Sequence, residues 1–361
     1  MTSLRTRVER IMRGLDEPGI LAAPLAVAEA IYGFGSGLRN SLYDKGIFKP
    51  KSAPCKVVCV GALTVGGVGK TPFVEIVAEK LRSRRIGILS RGYGTAAIAP
   101  IQIISDGVNI TAPPPLSPDE PYMLARKLHG IPVVCAPNRL AGAREMVKRY
   151  GTEIIIMDDG YQHRRLGRDL NILLLSVNFP FGNGHLTPRG VLREHADGAK
   201  RADIIAFTAT EFVPDEEFAE IAVVARQYAG NDKPVILSRG EITGFADVMR
   251  NREAPPSGPV YAFCGVAAPE RFIRSLEDIG HMIAGRRFFP DHHHYSDADI
   301  KTIANEADSC GAEYIVTTEK DAVRLVNRSG DFKMPLLSAV YNTRIVKGAE
   351  ILDEALSRLY E

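Results

Sequence analysis

The chain has 361 residues, of which 45% are hydrophobic and 24% are charged. These ordinary values for a globular protein exclude a largely disordered chain and a protein with many membrane spans. Lys and Arg number 45 against 43 Asp and Glu, so the net charge of +2 lacks the strong basic excess typical of nucleic-acid binders. At about 150 residues per domain, the length predicts two compact domains.

The cysteines indicate a reducing compartment. Their number is odd, no two of them form a CxxC pair, and all but the last lie in apolar, strand-like runs: Cys55, Cys59, Cys135, Cys264 and Cys310. A disulfide framework would require paired cysteines at regular spacing. The sequence therefore predicts buried, free thiols.

The amino terminus combines several arginines with an apolar stretch over residues 20–34. Pro24 and Glu29 interrupt this stretch, which argues against a signal peptide and against a membrane span of about 20 apolar residues. Apolar residues recur every three or four positions and predict one stripe along a helix: Leu21, Leu25, Ala28, Ile31, Tyr32, Leu38 and Leu42. This segment alone favours a helix packed on its own domain over a helix in the membrane interface, because amphipathic helices on protein cores are far commoner.

Short β-branched runs alternate with helical patterns after residue 55. The runs lie at residues 57–60, 86–89, 133–135, 153–157, 172–175 and 204–207. Helical patterns over residues 72–84 and 139–150 separate several of them. Continuous apolar strands joined by helices predict an α/β domain with a mostly parallel sheet and right-handed crossovers.

A second alternation follows a Pro-rich segment at residues 254–259, which reads as a linker. The pattern before this linker is weak, from residue 235 onward. After it come predicted strands at residues 260–264 and 314–317 and predicted helices at 269–280 and 297–310. The sequence thus predicts a second, smaller α/β domain.

The strongest chemical signal is a glycine-rich loop between a predicted strand and a predicted helix. The loop consists of Thr64, Val65, Gly66, Gly67, Val68, Gly69, Lys70 and Thr71. Glycines let backbone N–H groups turn toward phosphates, Lys70 reaches the β and γ oxygens, and Thr71 offers its hydroxyl to Mg²⁺. The loop therefore predicts a P-loop, although Thr64 replaces the usual first glycine; a purely structural glycine turn is the alternative.

A predicted strand at residues 154–157 ends in Asp158 and Asp159. In a nucleotide-binding sheet, such a strand places an acid near Mg²⁺ at the carboxyl edge. Turns also often begin with Asp, so this pattern alone is weak. Together with the glycine-rich loop it favours a metal site.

Two further segments have ordinary explanations. Ser117 and Glu120 fit a capping box, which would make Asp119 a first-turn acid beside a helix dipole. Residues 291–295 contain three adjacent histidines, whose side chains cannot readily converge on one ion. A polar turn is the favoured interpretation of that run.

Four segments together resemble the family of tetraacyldisaccharide 4′-kinases, the lipid A 4′-kinases of Gram-negative bacteria: residues 61–72, 90–94, 119–121 and 158–163. Further matches lie at residues 182–184, 192–194, 289–292 and 318–321, so that the resemblance runs nearly end to end. The P-loop is common to many NTPases. The Asp-Asp-Gly-aromatic-Gln-His and Pro-Asp-His segments are specific.

The resemblance implies an activity and a location. Such a kinase uses ATP and Mg²⁺ to phosphorylate the 4′-hydroxyl of an acylated glucosamine disaccharide 1-phosphate, which gives lipid IVA. It would be a peripheral protein on the cytoplasmic face of the inner membrane, with no nucleic acid and no obligatory protein partner. The implied organisation is an amphipathic, membrane-associating helical segment (1–50), a P-loop kinase domain (51–245) and a smaller α/β domain (246–361).

The resemblance also implies residue roles. Lys70 would contact the phosphates, and Thr71, Asp158, Asp159 and Glu194 would surround the metal. Asp119 would be the base for the sugar hydroxyl, with His292 as its partner in a dyad. Phosphoryl transfer needs charge neutralisation and in-line positioning more than covalent catalysis, which fits these residue types.

Two other function classes compete with this hypothesis. A membrane-associated ATPase switch of the MinD/ParA type carries a signature lysine at the start of the loop, where this chain has Val65. A kinase for a soluble sugar or nucleoside would leave the amphipathic amino terminus unexplained. Both are weaker than the lipid kinase hypothesis.

Overall fold

A computed structural model describes residues 4–92, 99–112, 116–249, 252–291 and 293–361. The helices are α1 (Leu4–Met12), α2 (Ala22–Asp44), α3 (Lys70–Lys80), α4 (Asp119–Lys127), α5 (Arg139–Tyr150), α6 (Asp215–Ala229), α7 (Pro269–Asp278), α8 (Asp297–Ser309), α9 (Glu319–Leu325) and α10 (Ala349–Ser357). The strands are β1 (Lys56–Ala62), β2 (Ile86–Ser90), β3 (Gln102–Ser105), β4 (Val133–Cys135), β5 (Ile154–Asp158), β6 (Leu170–Ser176), β7 (Ile204–Thr208), β8 (Val235–Asp247), β9 (Val260–Cys264), β10 (Ile283–Phe288), β11 (Tyr314–Thr318) and β12 (Leu336–Lys347).

Close contacts divide the chain into two compact units, each built from more than one stretch of sequence. Unit 1 comprises Met1–Ala112, Leu124–Arg239 and Arg344–Glu361, and unit 2 comprises Pro113–Met123 and Gly240–Thr343. The chain therefore passes from one unit to the other four times: between residues 112 and 113, and within α4, β8 and β12. The predicted segment boundaries at residues 50 and 245 stay a prediction.

Unit 1 contains the parallel sheet that the apolar runs predict. Its strands lie in the order β3, β4, β2, β5, β1, β6, β7 and β8. Every neighbouring pair is parallel except β3 with β4. No apolar run predicts β3, because this strand is short and lies at the edge of the sheet, where a strand needs no continuous apolar run.

The two faces of this sheet explain why its strands are apolar throughout. Val58 and Val60 of β1 belong to one buried cluster with Phe73 of α3. Val57 and Cys59 belong to a second cluster with Phe207 of β7. Because successive side chains of a strand point to opposite faces, a sheet covered on both sides needs apolar residues at every position.

Unit 2 is a smaller α/β unit, as predicted. Its strands lie in the order β10, β9, β11, β12 and β8, and the first four pair in parallel. A capping box between Ser296 and Asp299 begins α8. The weak pattern after residue 235 proves to be β8, whose buried and exposed residues are interspersed, so that no continuous apolar run marks it.

The amino-terminal helix α2 corrects two expectations. Among the described residues, the helical stretch Gly19–Asp44 is long and apolar enough, by length and composition alone, to cross a membrane. The apolar segment is therefore longer than residues 20–34, the stretch on which the sequence argued against a span. The predicted stripe also mixes two sides of the helix, since Leu25 is buried whereas Ile31 is 70% exposed. The exposed side of α2, here called the apolar face, consists of Val27, Ile31, Phe34 and Leu38, and the exposed Ile20 lies just before the helix.

Candidate functional site

The glycine-rich loop lies between β1 and α3, as predicted. Gly69 is the N-cap of α3 and has a left-handed φ of 76°, which favours glycine. Two hydrogen bonds hold the loop: Val65 N donates to Val191 O at 2.8 Å, and Thr208 Oγ1 donates to Val68 O at 3.0 Å. The amino terminus of α3, where unpaired N–H groups favour anions, therefore stands at the end of a fixed loop.

Lys70 faces a carboxylate that Arg193 also binds. Lys70 Nζ lies 3.7 Å from Asp159 Oδ1, and Arg193 Nη1 donates to both Asp159 oxygens at 2.8 and 2.9 Å. Burial alone would raise the pKa of Asp159, but the positive charges of Lys70 and Arg193 outweigh it and hold the pKa below its usual range. Asp159 is therefore an ionised partner for both cations. Arg193 has no predicted role, although it lies in the segment 192–194 that carries part of the family resemblance.

Asp158 and Thr71 are two residues of the predicted metal site, and both are buried. Asp158 ends β5 in a buried position and accepts a hydrogen bond from Ser90 Oγ at 3.3 Å. Thr71 is also buried, in the first turn of α3. Hydroxyl and carboxylate oxygens are ligands that suit Mg²⁺. In the described ranges, however, no group of three His, Cys, Asp or Glu side chains is placed to hold a metal ion.

Glu194 is fully buried and already bound by three side chains. Asn40 Nδ2 donates to it at 2.6 Å, Gln162 Nε2 at 3.0 Å, and Arg201 Nη2 contacts both oxygens at 2.8 Å. The carboxylate thus links α2 to the Asp-Asp-Gly-aromatic-Gln-His segment. The assignment of Asp159 and Glu194 to a metal stays a prediction.

Two basic side chains, one at the end of the segment 158–163 and one in α5, have lowered pKa values. Burial, with added repulsion from Arg139 and other arginines, lowers the pKa of His163 to about 4, so its ring is neutral at pH 7. Burial also lowers the pKa of Arg139 to about 10, although the charge of Asp158 opposes the shift. Arg139 still carries its charge at neutral pH. The sequence does not predict this buried cation, because nothing in the helical pattern at residues 139–150 distinguishes Arg139 from an exposed arginine.

The side of α2 opposite its apolar face is bound to unit 1. Glu29 accepts hydrogen bonds from Leu186 N at 2.9 Å and Arg189 Nη1 at 3.3 Å. Tyr32 donates to the carbonyl of Arg193 at 2.7 Å. A Cβ atom on Gly33 would lie only 2.8 Å from Leu186 Cδ1, so glycine permits this close approach. The helix is therefore attached directly to the segment that carries Arg193 and Glu194.

Asp119, the predicted base, begins α4 and belongs to unit 2. Arg324 binds it through Nε at 2.9 Å and through Nη2. The predicted partner His292 lies outside the described residues. Within the described part of the chain, the Ser117 hydroxyl makes no hydrogen bond, so the predicted capping box is not formed.

The histidine run supports a structural turn in the part that is described. His293 Nε2 lies 3.1 Å from Asp299 Oδ2, and its ring stacks on Phe289 at a centroid distance of 4.6 Å. These contacts connect the turn to the capped start of α8. They account for His293 without a metal ion.

Comparisons with known proteins agree with the resemblance seen in the sequence. A family model described as tetraacyldisaccharide-1-P 4′-kinase matches residues 21–360. The tetraacyldisaccharide 4′-kinase of Anaeromyxobacter sp. (strain K) is 38% identical over 356 residues, covering 94% of this chain and 92% of that protein. The one of Syntrophus aciditrophicus (strain SB) is 37% identical over 341 residues, covering 88% and 89%. The crystal structure of "apo" form LpxK from Aquifex aeolicus in complex with ATP superimposes with a TM-score of 0.77 and 30% identity, covering 94% of this chain and 99% of that one.

Proposed function

Because the chain belongs to the tetraacyldisaccharide-1-P 4′-kinase family, we propose that it transfers the γ-phosphate of ATP to the 4′-hydroxyl of a tetraacylated glucosamine disaccharide 1-phosphate. The product is lipid IVA. The observation that carries the proposal is the fixed P-loop, with Gly69 in a left-handed conformation and Lys70 at the start of α3. The ATP-bound relative supports ATP as the donor. A MinD/ParA-type switch is not favoured, since the family match covers residues 21–360.

In the proposed reaction, the Asp119 carboxylate accepts the proton of the 4′-hydroxyl. The hydroxyl oxygen forms a bond to the γ-phosphorus, and the bond from that phosphorus to the bridging oxygen of ADP breaks. Lys70 stabilises the charge on the transferring group, and loop N–H groups hold the phosphates. We retain His292 as the proposed partner of Asp119.

The buried oxygen donors of Thr71 and Asp158 fit the preference of Mg²⁺ for a few protein oxygens alongside phosphates and water. When bound there, Mg²⁺ would neutralise charge on the phosphate oxygens. Asp159 would then act mainly by orienting the Lys70 side chain. Glu194 would act by holding α2 and the segment 158–163 in place through its hydrogen bonds with Asn40 and Gln162. We assign this chemistry to the P-loop kinase domain.

We also propose that α2 holds the protein on the cytoplasmic face of the inner membrane as a peripheral helix. Its apolar face is exposed, whereas Glu29 and Asn40 bind unit 1 from the opposite side. A spanning helix would have lipid on all sides and could not keep these polar contacts. A helix in the interface satisfies both sides, and it brings the enzyme to a substrate whose acyl chains stay in the bilayer.

Incubation with [γ-³²P]ATP and a purified tetraacylated disaccharide 1-phosphate tests the function. We expect label on the 4′-oxygen of the lipid, and transfer slower by roughly a hundredfold or more with Lys70→Ala. The deacylated disaccharide in the same assay separates a lipid kinase from a soluble-sugar kinase. ATP hydrolysis without transfer to either acceptor would overturn the proposal in favour of a switch.

A further inference from the structure

Arg324 of α9 connects three elements of unit 2. Its side chain is only 7% exposed. Nε and Nη2 both donate to Asp119 Oδ2, and Nη1 donates to the carbonyl of His293 at 3.2 Å and to Asp321 Oδ1 at 3.3 Å. A guanidinium has a fixed fork of donors, so these contacts hold it in one plane.

Asp321 holds Arg324 in place, three residues earlier on the same helix. Its carboxylate is fully buried and accepts hydrogen bonds from Gly265 N at 3.0 Å and Thr318 Oγ1 at 2.7 Å. Thr318 in turn caps the start of α9. The recognised segment 318–321 therefore forms a rigid base from which Arg324 reaches Asp119.

We propose that Arg324 is a positioning residue for Asp119, anchored by Asp321. The inference rests on the proposed role of Asp119 as proton acceptor. Both hydrogen bonds of Arg324 to Asp119 end on Oδ2, so the guanidinium orients the carboxylate through that one oxygen. The positive charge of Arg324 lies against this carboxylate, and a neighbouring positive charge in general favours the ionised form of an acid, the only form that can accept a proton.

The geometry distinguishes this role from an ordinary surface ion pair. Surface pairs contribute little because both side chains are mobile and solvated. Here the cation is buried and its second acceptor is a buried carboxylate. Lysine carries the same charge but not the planar fork, so Arg324→Lys separates charge from orientation.

The test uses the full chain in the ³²P assay and compares Arg324→Gln, Arg324→Lys, Asp119→Asn and the double variant Asp119→Asn/Arg324→Gln. The matched control is Arg328→Gln, whose arginine lies in the following turn and pairs with Asp297 and Asp331.

We expect Arg324→Gln to lower kcat by roughly 10–100-fold, the range for residues that orient the ligands of a catalytic group. The KM for ATP should stay within about twofold, since the P-loop is untouched. The acid limb of the kcat–pH profile should move to higher pH, and Arg324→Lys should keep that limb in place with an intermediate kcat.

Each outcome then decides the inference. If Arg324→Gln lowers kcat but leaves the acid limb of the kcat–pH profile in place, Arg324 has a structural role only. If Arg324→Lys turns over at the wild-type rate, the planar fork of the guanidinium is not needed. Either result overturns the proposed role of Arg324. If Arg324→Gln does not fold, the rate and acid limb of Arg324→Lys decide. The double variant should be no slower than Asp119→Asn, because residues that act as one unit are non-additive. If Asp119→Asn is active, the proposed role of Asp119 as base is refuted. If Asp119→Asn is inactive but Arg324→Gln turns over at the wild-type rate, only the role of Arg324 is refuted.

Discussion

Lys70 stands at the start of α3 with Asp159 as its ionic partner, and it carries the proposed charge stabilisation. Lys70→Ala should lower turnover by roughly a hundredfold or more while the fold persists, because the alanine cannot neutralise the transferring phosphoryl group. Turnover in the ³²P assay and circular dichroism measure the two parts. Lys80→Ala, which removes a lysine from the end of the same helix, is the control. Near-normal turnover of a folded Lys70→Ala enzyme would contradict the P-loop role.

His163 makes stability depend on pH. Its pKa is lowered to about 4, below the usual 6.5, so between these values the unfolded chain binds a proton that the folded chain does not. The free energy of unfolding should therefore fall as the pH falls from about 6.5 to about 4, by at most about 1.4 kcal/mol per pH unit. Urea unfolding at several pH values should show a smaller fall for His163→Gln. The exposed His129→Gln serves as control, and an unchanged slope in His163→Gln would refute the prediction.

The helix α2 has two chemically different sides, and each can be altered separately. Ile31 and Phe34 on the apolar face are 70% and 75% exposed, so changing both to Ser should leave the fold intact. Since burial of a large apolar side chain contributes about 1.5–3 kcal/mol, each change should weaken binding to anionic phospholipid vesicles by roughly tenfold or more. The KM for the lipid should rise more than that for ATP. Val223→Ser, at a 53% exposed position of α6, is the control; vesicle binding equal to wild type would refute the proposed face.

Two glycines on different sides of α2 form a matched pair. A side chain at Gly33 meets Leu186, whereas a Cβ atom at Gly35 has no neighbour within 4 Å. Gly33→Leu should lower the free energy of unfolding by about 1–3 kcal/mol through overpacking. Gly35→Leu should change it little or raise it by up to about 1 kcal/mol, because leucine favours helix. Equal effects in urea unfolding would mean that α2 does not dock as described.

The cysteines report on the opening of the two units. All five are free thiols, and Cys310 is exposed, so it should react first with iodoacetamide. Burial raises the pKa of Cys135 to about 12 and also raises the pKa of Cys59 in unit 1 and of Cys264 in unit 2. These thiols should therefore react only after local unfolding.

ATP should protect the units unequally. A ligand at a hundred times its Kd stabilises its binding unit by about 2.7 kcal/mol, which corresponds to roughly hundredfold slower labelling. With Mg²⁺ and ATP we expect this protection for Cys59 and Cys135, which lie in the same unit as the P-loop, and much less for Cys264. Mass spectrometry of labelled peptides measures each site. Equal protection of all three would contradict separate opening of the units.

The features that the sequence determined are local ones. A strand buried on both faces must be apolar at every position, so β1, β5, β6 and β7 appear as continuous runs. A phosphate loop needs glycines next to Lys and Thr, so it is visible within eight residues. These patterns predicted the α/β fold, and the ordered motifs predicted the family. Strands with mixed burial, such as β8, escaped because their pattern depends on neighbours that are distant in the chain.

Tertiary structure decided which partners the predicted residues have. Arg324 reaches Asp119 across 205 positions, and Asn40 reaches Glu194 across 154, separations at which no sequence pattern encodes a contact. The same holds for α2, because a helix with two distinct sides can pack by either one. Glu29 only interrupts the apolar stretch in the sequence, whereas in the folded chain it binds Leu186 and so leaves the apolar face exposed. Local preference sets the elements, but the energies of ion pairs and side-chain packing depend on where the folded chain brings distant residues together.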